Sequence, residues 1–490
     1  MNHQGSVLYK QFLCARDLPS RPEGFHRWTF RDWNIWTSPE LPVSKVTDKS
    51  GNDIGLLLGW VIYNGIFINS HSEIRIEAIP TRENNPFHAM CGRFVVFCHF
   101  NEKPSLLTDA GALFPVVYDK YQEVIASSSM LIPGTTLLNR DPRVIETLDI
   151  SKERGWYPFG LTAHANIRRL LPNHALDLSN FASTRVWPLE HETEYRQKNT
   201  LEDSILLEKI CSSLANRVKT LAETSPTIMH LTGGWDTRMM LSAARHCADQ
   251  IMLRTFRTEG SGGQLDQLLA KELVKKFNLV HAFVDLLPIS DTERNAWQFR
   301  TGYCLNDHVI DLATTEKSIS NGEEFSLSGA AGEVARAFYW GPHDLGKPQP
   351  GADALLQRLG LKHADIFLKE AEIWLENLPV GGASWTYDLA YIELRLGCWA
   401  GVAMTGHDMP YPSISPFNSV DTFQKMMSFS DAYRANGALC EDITKKLWPE
   451  LLSIPVNRAP GLRKLRFIRQ ELSSAMPLRV KEKIKKLLKK

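Results

Sequence analysis

The sequence predicts a two-part protein: a sheet-rich α+β first half followed by an α/β half built on a parallel sheet. Three observations predict it. At 490 residues the chain exceeds what one hydrophobic core ordinarily organises, so two domains, each burying its own core, are expected. From about residue 28 to 190, short apolar runs alternate with Asn, Asp, Gly and Pro turns. Beyond that, longer helical patterns alternate with brief strands, the texture of a parallel sheet with crossover helices.

In the first half, Ile54 to Tyr63, Arg93 to Phe100 and Val116 to Val117 read as strands. A polar stretch, 190–199, marks the boundary, giving domains 1–195 and 196–477 and a basic tail, 478–490. The second half opens with a helix over Leu201 to Ala222, where Ile205, Leu206, Ile210, Leu214 and Val218 fall near one face. A strand, Ile228 to Leu231, then runs through Thr232-Gly233-Gly234 into a helix ending near Cys247. A second strand, Ile251 to Phe256, a glycine-rich loop, 260–263, and a helix, Leu265 to Phe277, repeat the unit.

Composition narrows the function classes. A hydrophobic share of 43% with 23% charged residues is that of a folded globular protein. A net charge of +1 provides no global attraction for nucleic acid. Eight cysteines without C-x-x-C or metal-finger spacing fit reduced thiols and a cytoplasmic location. The first residues lack a secretory signal pattern, and no run reaches the roughly 18 apolar residues of a membrane span. In the tail, Val480, Ile484, Leu487 and Leu488 recur at helical spacing among lysines, as in a solvated terminal helix.

The chemistry concentrates at the first strand-to-helix turn. Two glycines let the backbone approach a ligand, and the free N–H groups of a helix start bind anionic oxygen. Thr232 and Thr237 add hydroxyl donors, Asp236 a carboxylate suited to Mg²⁺, and Arg238 further positive charge.

Leu231-Thr232-Gly233-Gly234-Trp235-Asp236-Thr237-Arg238 resembles the S-G-G-x-D-S loop of the pyrophosphate-binding ATPases, with threonine for both serines. Ser326-Leu327-Ser328-Gly329-Ala330-Ala331-Gly332-Glu333 resembles the S-G-x-G-x-D/E element of asparagine synthetases, with Ala330 where that family carries an acid. The resemblance implies ATP and Mg²⁺, with Asp236 and Glu333 on the metal side, Ser328 and Gly329 beside the nucleotide, and Leu253, Arg254 and Asp266 around the adenosine. The segment Asp388 to Trp399, carrying Tyr391, Glu393 and Arg395, resembles the acceptor-side helix, and Glu393 is its candidate catalytic acid. For the cation that the family places in its closing segment, Lys445, Lys446 and Arg458 all qualify.

The first half extends the resemblance. Gly92 to Phe97, Leu107 to Tyr118, Val124 to Ser128 and Ile167 to His174 are similar to successive motifs of the glutaminase domain. The implied architecture is an Ntn-hydrolase-like αββα sandwich followed by an α/β PP-loop domain of the adenine nucleotide α-hydrolase-like kind. That glutaminase uses a cysteine immediately after the initiator Met as nucleophile, and position 2 is Asn, so no glutamine hydrolysis is expected.

The implied activity is an AMP-forming ligase. It adenylates the carboxylate of a small molecule, peptide or glycan, releases pyrophosphate, and passes the acyl group to ammonia or an amine. Family members without the cysteine, the β-lactam synthetases and lasso-peptide cyclases, close amides this way. The alternative is a degenerate paralogue that binds nucleotide or only a partner. A homodimer is compatible with the resemblance; a nucleic-acid partner or a membrane span is not expected.

Overall fold

A computed structural model describes residues 7–18, 22–189, 200–306 and 309–459. Asn2, the polar boundary stretch and the basic tail lie outside them.

The first half forms two antiparallel-rich sheets. One has six strands in the spatial order Ile167–Arg169, Val117–Asp119, Val124–Ala126, Phe12–Ala15, Trp33–Thr37, His26–Phe30. The other is centred on Asp53–Tyr63 and Cys91–Phe100, long strands whose aliphatic and aromatic content suits a pleat buried on both faces. The sheets stack through aromatic contacts such as Phe12 on Phe97, with ring centroids 6.2 Å apart.

The first half is sheet-rich, as expected, but the helical layers of the expected αββα arrangement do not come from it. Among the described residues, the first half contributes one α-helix of 6 residues, Pro142–Thr147, and three short 3₁₀ turns. Helices of the second half pack there instead: α1, Thr200–Thr224, lies against Asp53–Tyr63 and Ile66–Ile68, and Val420–Met427 lies against Pro86–Ala89. The reason is compositional, since the first half's runs are short and alternating and leave few amphipathic stretches long enough for a helix.

The second half carries the parallel sheet. Its strands are β1 Thr227–His230, β2 Ile251–Arg257, β3 His281–Asp285, β4 Phe325–Leu327 and β5 Ser413–Ile414, in the spatial order β3-β2-β1-β4-β5. Every neighbouring pair is parallel. The order reverses between β1 and β4, so a crevice opens at the carboxyl ends of these two strands. Helix α2, Trp235–Ala243, follows β1, and α3, Gly260–Phe277, follows β2. Gly260–Gly263, expected as a loop, is the first turn of α3.

The largest hydrophobic cluster crosses the two halves, running from Phe12 and Trp33 through Leu231 and Leu253 to Phe417 and Leu439, and two smaller clusters are built from buried residues of the first half. Polar pairs cross the same boundary. Arg93 donates to both Asp408 oxygens at 2.7 and 3.0 Å, both side chains buried. Asn418 Nδ2 donates to Asp109 Oδ1 at 2.7 Å. All eight cysteines are buried and unpaired. Among the described residues no helix is long and apolar enough to cross a membrane.

Candidate functional site

β1 ends at His230, and the Leu231 N–H donates to the Arg254 carbonyl at 2.8 Å, so the chain stays registered with β2 until the turn begins. Gly234 then caps α2 without any side-chain hydrogen bond, leaving the first-turn N–H groups free of a capping side chain. The Thr232 and Thr237 hydroxyls lie 2.9 Å apart at this turn.

Close packing explains the glycine at 233. A Cβ there would stand 2.4 Å from Leu269 Cδ1, because α3 presses on the loop from behind. From that helix Asp266 Oδ1 accepts the Gly233 N–H at 2.7 Å, while the Gly233 carbonyl accepts the Asn457 N–H at 2.8 Å. The turn is therefore held from two sides.

β4 supplies the facing wall. Beyond Leu327, Ser328 Oγ accepts the Ala330 N–H at 3.2 Å, Ala331 takes a left-handed φ of 70°, and a 3₁₀ turn, Gly332–Ala335, begins with Glu333 in its first turn. A Cβ on Gly329 would meet Asp236 Cβ at 3.0 Å, so the two turns interlock around Asp236.

Four side chains converge there. Arg336 donates to Asp236 Oδ2 at 3.3 Å, and Tyr391 donates its hydroxyl proton to Glu333 Oε2. Burial raises the Asp236 pKa against the pull of Arg336. Glu333 is pushed up to about 7, by burial first and then by the Asp236 charge. Asp236 Oδ1 and Arg336 Nε are both buried without a hydrogen-bond partner among the described residues. An orphaned carboxylate oxygen beside a second, mutually repelling carboxylate fits Mg²⁺, which takes one or two protein carboxylates and fills the rest of its shell with phosphate oxygen and water. No group of three or more His, Cys, Asp or Glu ligands forms among the described residues.

A cleft of about 440 Å³ opens at this junction; Thr232, Thr237, Ser328, Gly329 and Glu333 line it, and Asp236 is not among its lining residues. Other expectations change. Arg238 points away: buried completely, it donates to the Leu451 and Ile454 carbonyls at 2.7 Å each and to that of Pro455 at 3.3 Å. It braces the loop's back, and burial lowers its pKa to about 10. Leu253 is a core residue of β2, and Arg254 pairs with Glu316. Asp266 supports Gly233, as described above.

Glu393 also lies elsewhere. It is fully buried between the two halves, where Arg185, Asn173 and Trp374 all donate to its carboxylate, and Arg185 leads the interactions that hold its pKa down against burial. Lys446 pairs with Glu208 at 2.6 Å on the surface, and Lys445 is exposed. Of the three cations sought in the closing segment, Arg458 directly follows Asn457, whose N–H is bonded to the Gly233 carbonyl, and it is exposed.

The cation paired with the site's acids is Arg336, which the sequence reading missed: it follows Glu333 by three residues, but its ion pair is with Asp236, a hundred positions earlier, so local spacing gave no signal for it. Arg395, named with the acceptor-side helix, lines the cleft. Tyr391 was placed on the right helix, but its bond to Glu333 depends on the wide winding of Ala390–Ala400 in π turns between the α-helical Ala383–Leu389 and Gly401–His407.

No protein-family model matches the chain, and no curated protein matches it.

Proposed function

We propose that the chain is an AMP-forming ligase, activating a carboxylate with ATP and transferring the acyl group to ammonia or an amine, in the manner of the asparagine synthetases it resembles. One observation carries this reading: an acidic pair with its own arginine, Asp236, Glu333 and Arg336, stands beside an uncapped helix start at the sheet's topological switch point. The first-turn N–H groups of α2 and the Thr232 and Thr237 hydroxyls bind the pyrophosphate end of ATP. Asp236 and Glu333 would hold Mg²⁺, which neutralises phosphate charge as pyrophosphate departs. Arg336 is the protein's own cation for that charge. The first half acts as scaffold: Cys14, the cysteine nearest its start, is wholly buried in a strand, and burial drives its thiol pKa far up.

The test is incorporation of labelled pyrophosphate into ATP, screened against aspartate, uronic acids and short peptides. Exchange with one of these acids, abolished in Asp236→Asn at unchanged circular dichroism, is expected. Wild-type protein that exchanges with none of them would remove the ligase reading. The engagement of Asp236 by Arg336 favours a second reading, nucleotide binding without turnover, which calls for calorimetric ATP binding with no exchange.

A further inference from the structure

The cleft has a second polar cluster that the nucleotide chemistry does not use. His230, the last residue of β1, lines the cleft together with Glu316, His407 and Tyr411. Its Nε2 lies 2.9 Å from Glu316 Oε1. Glu316 is 3% exposed on the helix Ile310–Ile319, and its other oxygen is held by Arg254 from β2. The ring of His230 also packs on Phe256, with centroids 5.1 Å apart, which fixes its plane.

This is an orienting arrangement. A carboxylate that is itself anchored fixes the imidazole tautomer, with the proton on Nε2, and leaves Nδ1 as the acceptor. A buried ion pair of Arg254 and Glu316 is costly to build merely for stability. The groups facing His230 are Glu316, Arg254, His407 and Tyr411; burial holds the His407 pKa down to about 4, so that imidazole is neutral at physiological pH, and Tyr411 is a phenol whose pKa burial raises. The Arg254–Glu316 pair thus anchors the cluster, and His230 Nδ1 is the ring nitrogen that its bond to Glu316 leaves over.

We propose that His230 is the general base of acyl transfer, with Glu316 and Arg254 as its positioning residues, and that this end of the cleft receives the amine. The inference rests on the ligase reading above. The amine nitrogen attacks the acyl carbon of the adenylated substrate, forming the C–N bond, and its surplus proton passes to His230 Nδ1. Collapse of the tetrahedral carbon breaks the C–O bond to phosphate, and AMP leaves with that electron pair. The imidazolium then returns its proton to solvent.

The experiment compares the two half-reactions in the full-length protein, using the acid that supports pyrophosphate exchange. His230→Ala is expected to keep exchange within about threefold of wild type while transfer to ammonia falls by about 100-fold or more, the range of a lost general base. Added imidazole is expected to restore part of that transfer. Glu316→Gln is expected to lower transfer about 10-fold at unchanged exchange. Transfer by His230→Ala at the wild-type rate overturns the proposal, as does equal loss of both half-reactions without imidazole rescue, which marks a structural role. Wild-type protein with no exchange removes the ligase reading and this inference together; exchange with unaltered transfer in His230→Ala removes only the inference.

Discussion

Arg336 donates to Asp236, its guanidinium 3.3 Å from a carboxylate one hundred positions earlier in the chain. The pair joins the turn after β1 to the turn after β4, and it supplies there the positive charge that the sequence had assigned to Arg238, which instead turns inward.

Arg336→Gln is therefore expected to cut pyrophosphate exchange by about 100-fold, the order of one lost transition-state donor, with Arg336→Lys intermediate because a single ammonium replaces a fork of donors. Exchange kinetics at saturating ATP measure it. Equal rates in all three proteins would show that the arginine serves Asp236 alone.

Glu333 makes stability depend on pH in the metal-free protein. Burial and the Asp236 charge raise its folded pKa to about 7, above the ordinary value of 4.5. The unfolded chain thus ionises first, and stability falls as pH rises from about 4.5 through about 7, beyond which the whole penalty is present. Glu333→Gln cannot ionise, so in EDTA its melting temperature is expected to exceed wild type at pH 8 and to converge with it near pH 4.5. Thermal melts across that window decide, and parallel curves would contradict the assignment.

Gly233→Ala forces a methyl to within 2.4 Å of Leu269 Cδ1 and disturbs the Asp266 bond to the loop. A loss of about 1–3 kcal/mol and weakened ATP binding are expected. Leu269→Ala in the same chain opens room for the new methyl, and denaturant unfolding is expected to show a double mutant less unstable than the sum of the singles.

Glu393→Leu leaves Arg185 buried without its acid and is expected to cost about 3–5 kcal/mol. Replacing both, as Arg185→Met with Glu393→Leu, is expected to recover much of that loss. Exchange per folded molecule stays near wild type in the double mutant; a specific loss of exchange there would return Glu393 to the chemistry.

By itself the sequence determined the second half's local units and the place of its loops. The turn at Thr232–Gly234, the strands around it and the Ser328-to-Glu333 turn follow from apolar periodicity and turn chemistry, which act over a few neighbouring residues, whereas the pairing of Asp236 with Glu333 came only as what the family resemblance implies. Only the tertiary structure decided where each charged side chain ends. Arg238 sits two residues after Asp236 yet turns inward to three carbonyls, because two steps along a helix turn a side chain by about 200° and the closing segment offers acceptors there. Glu393 went to Arg185 and Asp408 to Arg93, the latter across 315 residues, because the two halves close on one core and burial obliges each charge to find a partner across it. Such pairings are set by how the sheets and helices meet, a relation that residues adjacent in sequence do not carry.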